Sequence, residues 1–413
     1  MLNSKQEREL CYVTIVDAVT PIKGYDRVEL AHVGGWTVVV GKGEFEEGDP
    51  AIYFEIDSKL PEVEPFTNMD FLAKKKYKIK TQKMCKSLSQ GLLMSAANFG
   101  WTIESAQFAG GFSYIIDDKG VKHIPGDKDT MFLTKQLGIT YAVFEDNKRK
   151  SNGGDKYKKM AQRHGKLFSK QPFRWLMKRI WGKKLLFIFF GKKRDKRNWP
   201  AWVTKTDEER IENLPYLFND KSEWIATEKI DGTSTTFTLK KGKGFNKEEF
   251  YVCSRNVVFE KPDQKCYYEK NVYTEMAEKY DIYHKMKNLL LNHFPNDEWI
   301  TIQGETYGAG IQKRDYHMKE HNFMAFNFIT STEGRWNSDK MKELLEKYYG
   351  IPCVPILNSK YILPDSLEEL RAYVDSETSI IDGEMREGIV FRSQDGTRSF
   401  KCVSPTYLIK YHQ

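Results

Sequence analysis

Over the first hundred residues the apolar positions repeat every two residues rather than every three or four. "CYVTIVDAV" (11–19), "RVELAHV" (27–33), "WTVVV" (36–40) and "AIYFEI" (51–56) are short alternating or apolar runs, and "KYKIKTQKM" (76–84) and "GLLMSA" (91–96) follow. Turn residues in "PIKG", "GG" and "EEGDP" separate them, so each run predicts a strand. Then "DTMFLTKQLGITYA" (129–142) has the look of a short helical tail. Further on, Phe173, Leu176, Met177, Ile180 and Trp181 fall at helical spacing, with Arg174, Lys178 and Arg179 between them. From "NWPAWVTKTDEERIENLP" to Gln413 strand-like and helix-like stretches mix.

Five or six short strands in about ninety residues suit a small closed barrel, and the OB-fold is the commonest such solution. The pattern therefore predicts an α+β chain: an OB-fold β-barrel over 1–146, a separate segment over 147–198, and a mixed α/β domain over 199–413. A length of 413 residues agrees with more than one domain. Hydrophobic residues make up 40% and aromatics 14%, enough to pack such cores. The longest purely apolar run, "LLFIFF" (185–190), is too short to cross a membrane. "LCYVTIVDAV" contains Asp17 and reads as a strand, not as a signal peptide. Six scattered cysteines without a C-x-x-C pair point to a reducing compartment, so the expected location is intracellular, cytoplasmic or nuclear, and not secreted.

Charge changes the picture. Between Lys148 and Arg197 there are nineteen Lys or Arg and two acids, an excess of +17; with +8 overall, the rest of the chain carries about −9. A basic stretch on an otherwise acidic chain suggests a polyanion partner such as nucleic acid. Four roles fit it: a solvated charged loop, or an amphipathic helix that docks on the body, lies on an anionic membrane or braces a nucleic-acid backbone.

Several familiar patterns fail. "GWTVVVGKG" has five residues between Gly35 and Gly41, and Gly43 follows Lys42, so it is not a phosphate loop. "HMKEH" (317–321) fits an inverted zinc-protease motif but abuts the strand-like "NFMAFNFIT" where a helix is needed. What remains is "TEKIDGTS" (227–234), which sets Lys229 two residues before Asp231-Gly232. Downstream come "SRN" (254–256), "IQGETYG" (302–308), "FMAFNF" (323–328), "REGIVFRS" (386–393) and "SFKCVSP" (399–405). Each alone has a structural reading as a turn, an edge or a core strand. Together they supply one lysine nucleophile, isolated carboxylates, an aromatic face and further cations, which is an inventory for handling a nucleoside triphosphate.

The order K-x-D-G, S-R, G-E, F-x-F, E-G-x-V and a final lysine strand resembles the covalent nucleotidyltransferases, the polynucleotide ligases and capping enzymes. Within them the chain is most similar to RNA ligases of the Naegleria type, which carry an OB barrel before the catalytic domain. The likeness covers roughly 8–146, with "VVVGKGEFEEGDPAIYFEIDSKLP" and "LSQGLL", and 199–413; residues 147–198 have no counterpart in it. DNA ligases and capping enzymes carry a further barrel after this core, for which twelve residues past Lys401 leave no room.

The resemblance implies an ATP-dependent RNA ligase using Mg2+ or Mn2+, with Lys229 as the nucleophile that forms lysyl-AMP. Asp231, Glu305 and Glu387 would hold the metal through water or the ribose, Glu305 lying on the ribose side. Phe326 would stack on adenine, Arg255 would meet the reacting phosphate or the RNA end, and Lys401 would bind the α-phosphate. Glu228, Gly232, Asn327, Lys205 and Arg210 are further candidates around the nucleotide. Cations near Lys229, such as a magnesium ion on the α-phosphate, are expected to lower its pKa from about 10.4 so that a neutral amine can attack. RNA, as a nicked duplex or splinted ends, is the expected partner of a monomer. The barrel is expected to grip RNA, so its loss should cost sealing more than self-adenylylation. Two departures stand out. Phage nick-sealing ligases have a second lysine where this chain has Val403, with Lys410 the nearest substitute in sequence, and an aspartate at Asn327. The alternatives are a DNA ligase, a GTP-using capping enzyme, or an RNA-binding protein whose catalytic domain has decayed.

Overall fold

The computed structural model describes residues 1–5, 7–105, 113–142, 199–205, 207–242, 248–259 and 270–412, with isolated positions between 167 and 186 and between 264 and 268. Two compact units are present, Met1–Ala142 with Trp199–Gln413, and Val143–Asn198.

The barrel uses strands β1 (Cys11–Ile15), β2 (Ala18–Pro21), β3 (Val28–Val33), β4 (Trp36–Gly41), β5 (Pro50–Phe54), β6 (Thr81–Met84), β7 (Ser87–Gln90) and β8 (Leu92–Met94). The run expected as one strand over 11–19 is two. Val16 N–H turns to Asp49 O and Asp17 N–H to His32 O, so the chain leaves the β1–β5–β8 sheet and joins β2–β3–β4. β5 is buried at every position, as a central strand must be. Thr37 Oγ1 donates to Leu88 O (2.9 Å) and Val39 N–H to Ser89 Oγ (3.1 Å), linking β4 to β7. Val13, Ile52, Phe54, Met94 and Ile115 fill one apolar cluster.

Residues 129–142 are not the helix their spacing suggests. Met131 O accepts from Val13 N–H and Leu133 N–H donates to Cys11 O, which makes the segment a strap on β1. Thr134 Oγ1 accepts from the N–H groups of Leu10 and Cys11 (2.9 and 3.1 Å), and Thr140–Tyr141 pairs with Ser58–Lys59. Tertiary pairing overrides the helical period here, since only one turn, Leu137 N–H to Leu133 O, survives.

The second half contains two antiparallel-rich sheets. One runs Glu209–Arg210, β16 (Ser399–Val403), β15 (Gly388–Ser393), β9 (Glu223–Lys229), β14 (Ile356–Ile362). The other runs Val258–Phe259, β11 (Glu249–Ser254), β10 (Thr233–Lys240), β12 (Trp299–Gly308), β13 (His321–Thr330), Gly334–Arg335. Helices α1 (Val272–Lys279) and α2 (Ile282–Asn288) cover the second sheet through Met276 and Met286 against Phe237 and Ile302. Helix α3 (Leu367–Ser376) covers the first, with Leu370 and Val374 on Trp224, Phe391 and Phe400. Its start is written in sequence: Ser366 accepts from Glu369 N–H and acids follow in the first turn. The chain passes between sheets at Ile230–Gly232, so the lysine motif sits at a corner.

Barrel and sheets share one core. Val403 and Leu408, the latter on helix α4 (Pro405–Tyr411), pack in the cluster of Tyr12, Trp36 and Tyr53. Buried polar contacts join them as well. Arg371 bonds Glu212 and Gln90 (both 2.9 Å), Asn213 donates to Glu55 (2.9 Å), and Trp36 Nε1 donates to Asn213 Oδ1 (2.7 Å). Removing the barrel would strip these partners, which argues against the expectation that self-adenylylation outlasts its loss.

The basic segment falls almost wholly outside the described residues. Phe173–Met177 is helical, Trp175 and Trp181 are exposed and edge to face at 5.8 Å, and Arg179 lies 4.2 Å from the Trp175 ring centre.

Two outcomes are expected. A 199–413 fragment assayed with labelled ATP should lose self-adenylylation along with sealing. Val403→Lys, which would restore the phage residue, buries an unpaired ammonium at a cost of about 3–5 kcal/mol and should lower the thermal midpoint.

Candidate active site

β9 delivers Lys229 to the sheet corner, where it pairs in register with Gly388, so Glu387 comes directly beside it. Lys229 Nζ lies 2.6 Å from Glu387 Oε2, with Lys229 a quarter exposed and Glu387 buried. Both glycines beside the acids are required by close approach. A Cβ on Gly232 would stand 2.4 Å from Thr306 O, and one on Gly388 2.4 Å from Cys402 O. These contacts hold the D-G and E-G pairs against β12 and β16 and crowd the carboxylates together.

The free site sets the charge state of Lys229. Burial alone would lower the Lys229 amine, but Glu387, Glu305 and Asp231 outweigh it and hold the amine above its ordinary value. Burial raises the Glu305 carboxyl to about 8, Lys229 opposes this, and the charges of Glu387 and Asp231 add to it. Burial and Asp231 likewise raise Glu387 against the pull of Lys229. Asp231 behaves oppositely: burial would raise it, yet His412, Lys229 and Tyr407 hold it below the usual range. Tyr407 donates to Asp231 Oδ2 (2.8 Å), His412 Nε2 lies 3.4 Å from that oxygen, and the Asp231 N–H donates to Tyr316 (2.7 Å).

A cationic side flanks this cage. Lys401 Nζ bonds Asp207 Oδ1 (2.9 Å), and Arg255 pairs with the other oxygen of the same carboxylate. Lys401 is lowered by burial, which Asp207 only partly offsets and which Arg8, Arg210 and Lys229 reinforce. Arg210 pairs in parallel register with Lys401. It is buried, 3.6 Å from Asp57, and its Nε and Nη1 have no hydrogen-bond partner among the described residues. Lys205 is exposed and donates to Asn256 beside Arg255 (3.0 Å). Lys410 lies 3.9 Å from Glu384 and does not join the group around Lys401.

Phe326 owes its position to a β-bulge. On β13 Asn327 faces Gln303 and Ala325 faces Gly304, leaving Phe326 as the extra residue. The ring packs against the cluster of Ile230, Tyr307, Tyr316 and Val354 and lies 5.8 Å from the Arg392 guanidinium. Asn327, where the phage enzymes have aspartate, accepts from Arg392 Nε (3.2 Å) and donates to Gln303 (3.1 Å). A neutral amide thus sits beside an arginine that burial lowers to about 10 and that Glu208 balances. Glu228 is on the opposite face of β9 from Lys229. Its carboxylate accepts from Ser379 Oγ and from Ile380 N–H (3.0 Å), fixing the 379–381 loop rather than joining the cage.

Lys229, Asp231, Glu305 and Glu387 therefore converge, with Lys401, Arg255 and Arg210 on one flank. The sequence reading missed Asp207, Tyr316, Tyr407 and His412; Asp207 alone had a visible signal, in "TKTDEER". Among the described residues no group of three His, Cys, Asp or Glu side chains can cage an ion directly. The carboxylates do offer hard oxygen donors of the kind that suits Mg2+ or Mn2+ held through water. "HMKEH" is turn followed by strand, with His321 bonded to Glu275 (3.0 Å).

A lysine caged by carboxylates at the corner of two sheets, with a cationic flank, suits covalent nucleotidyl transfer of the ligase kind. Residues 222–412 match the RNA ligase family model and residues 10–96 match an OB-fold domain model, so the catalytic half is an RNA ligase domain behind an OB-fold. The fold as a whole is that of Naegleria gruberi RNA ligase. Its structure with pyrophosphate aligns at TM-score 0.69 and 23% identity over 98% of this chain and 99% of that one. Mutant forms of that ligase with ATP and Mn and with AMP and Mn each align at TM-score 0.68 and 23% identity, over the same shares of both chains. No curated protein sequence matches the chain.

The raised Glu305 carboxyl makes a stability prediction. The folded state binds this proton up to about pH 8 while an unfolded carboxyl releases it near 4.5, so the contribution is full below 4.5 and is lost as pH rises through 8. Thermal midpoints measured from pH 5 to 9 should show Glu305→Gln removing that decline.

Proposed function

We propose that this chain is an ATP-dependent RNA ligase that joins 3′-hydroxyl and 5′-phosphate ends through lysyl-AMP. The observation that carries it is Lys229 Nζ held 2.6 Å from Glu387 inside a carboxylate cage, with Lys401, Arg255 and Arg210 alongside. The Lys229 amine must lose a proton before it attacks, and Glu387 Oε2 is placed to take it, since burial makes this carboxyl a better base than usual. The neutral nitrogen bonds to the α-phosphorus of ATP as the bond to pyrophosphate breaks. Lys401 and Arg255 meet the α-phosphate, and the unpartnered Arg210 nitrogens supply donors for the phosphate chain. Phe326 stacks on the base, its ring held by the bulge and by Arg392. Bound Mg2+ or Mn2+, held through water by Asp231, Glu305 and Glu387, would add positive charge that favours the neutral amine and offsets charge on the phosphate.

An RNA 5′-phosphate oxygen next displaces Lys229 from the adenylyl phosphorus. The 3′-hydroxyl then attacks the 5′-phosphorus, loses its proton and expels AMP. The substrate we favour is a nicked RNA duplex or splinted ends, handled by one chain. Six unpaired cysteines support work in a reducing compartment, cytoplasm or nucleus. No helix among the described residues is long and apolar enough to span a membrane.

With labelled ATP, Lys229→Met should abolish both the acid-stable AMP adduct and ligation. Lys240→Met, whose amine rests 4.5 Å from the Trp202 ring, should leave both intact. An adduct persisting on Lys229→Met would refute the assignment. Glu387→Ala should slow adduct formation at least a hundredfold, the scale of a lost general base.

A further inference from the structure

We infer that a lysine-rich hairpin of the barrel, residues 74–86, holds the RNA phosphate backbone beside the break; this rests on the ligase reading above. Seven lysines (74, 75, 76, 78, 80, 83 and 86) fall in thirteen residues without a single acid. Lys74, Lys75, Lys76, Lys83 and Lys86 are exposed. Lys74, Lys76, Lys83 and Lys86 make no ion pair among the described residues. The nearest acids in sequence, Glu62, Glu64 and Asp70, precede the stretch.

The backbone presents these charges deliberately. β6 and β7 are joined by a two-residue turn, Cys85-Lys86, with φ of +50° and +65°. Both residues are left-handed, as in the type I′ turn that ordinarily selects Asn-Gly. Lys76 and Tyr77 are left-handed too, at +53° and +58°. Four non-glycine residues in this region, two of them lysines, occupy a conformation that side chains disfavour, which marks the stretch as held for a purpose other than turn stability.

Its position supplies the partner. α4 lies against β6, and α4 carries Tyr407, which bonds Asp231 in the lysine cage. The basic strand thus borders the wall of the catalytic site. A phosphate backbone is the regular polyanion whose break has to be brought to that wall, and phosphate contacts by lysines position a duplex without reading its sequence.

The test uses the full-length protein and a nicked RNA duplex, with binding measured by fluorescence anisotropy between 50 and 200 mM salt. Each phosphate contact contributes about 0.9 to the slope of log affinity against log salt. Lys74, Lys76, Lys83 and Lys86 changed together to Gln should flatten the slope by about 3.6 and weaken binding at least tenfold at about 100 mM salt. Their replacement by Arg should restore both. Self-adenylylation, which uses no RNA, is the folding control. A Gln variant that forms the adduct yet keeps the wild-type slope and affinity overturns the hairpin assignment alone. A wild-type protein that forms no adduct faults the ligase reading instead. Loss of binding to phosphatidylserine vesicles with RNA affinity unchanged would also overturn the proposal, in favour of an anionic lipid surface.

Discussion

One ammonium, that of Lys229, faces three crowded carboxylates, and the geometry of the catalytic half follows from keeping them together. Asp231, Glu305 and Glu387 come from a corner, a central strand and a strand edge. Like charges at such range repel, and burial penalises each further. The structure resolves this by giving the carboxylates unequal fates. Asp231 stays charged because Tyr407 and His412 support it, while burial pushes Glu305 up to about 8. Lys229 is the common counter-charge, which keeps it protonated in the free protein. The proposed nucleophile is thus stored in its unreactive form.

Support for this cage reaches well beyond the catalytic sheets. α4 supplies Tyr407 to Asp231, while Leu408 of the same helix and Val403 just before it sit in the barrel cluster with Trp36 and Tyr53. Arg8 and Tyr141, both from the barrel half, lie beside Arg255 and Lys401: the Arg255 guanidinium is 5.6 Å from the Tyr141 ring centre, and Arg8 Nη1 donates to its hydroxyl (3.2 Å). Val403 is therefore explained as a packing residue. A cation there would face the barrel core, and Arg210, which pairs in register with Lys401, is the positive group beside that lysine instead.

Much of this was legible in sequence because the motif residues lie within short, contiguous strings. Lys229, Asp231 and Gly232 belong to one corner; Glu387 and Gly388 mark one strand start; Lys401 lies on the neighbouring strand. Residues that act from far away in the chain had no such signature. Tyr407 and His412 meet Asp231 only because a C-terminal helix folds back across 176 and 181 residues. The 129–142 stretch misled for a related reason: its Leu133 and Leu137 have helical spacing, yet β1 claims its backbone. The raised pKa of Lys229 in the free site had no sequence signature either, since the sequence shows which charges exist and not which of them come closest.

The most direct test of this account is the ionisation of Lys229 itself, followed by NMR of protein carrying labelled lysine. Free protein should show a Lys229 amine titrating above the ordinary value of about 10.4. Glu387→Gln should bring it down, and so should Mg2+ with a non-hydrolysable ATP analogue. A Lys229 amine already neutral near pH 7 in the free protein, and unmoved by Glu387→Gln, would contradict the caged lysine on which the account depends.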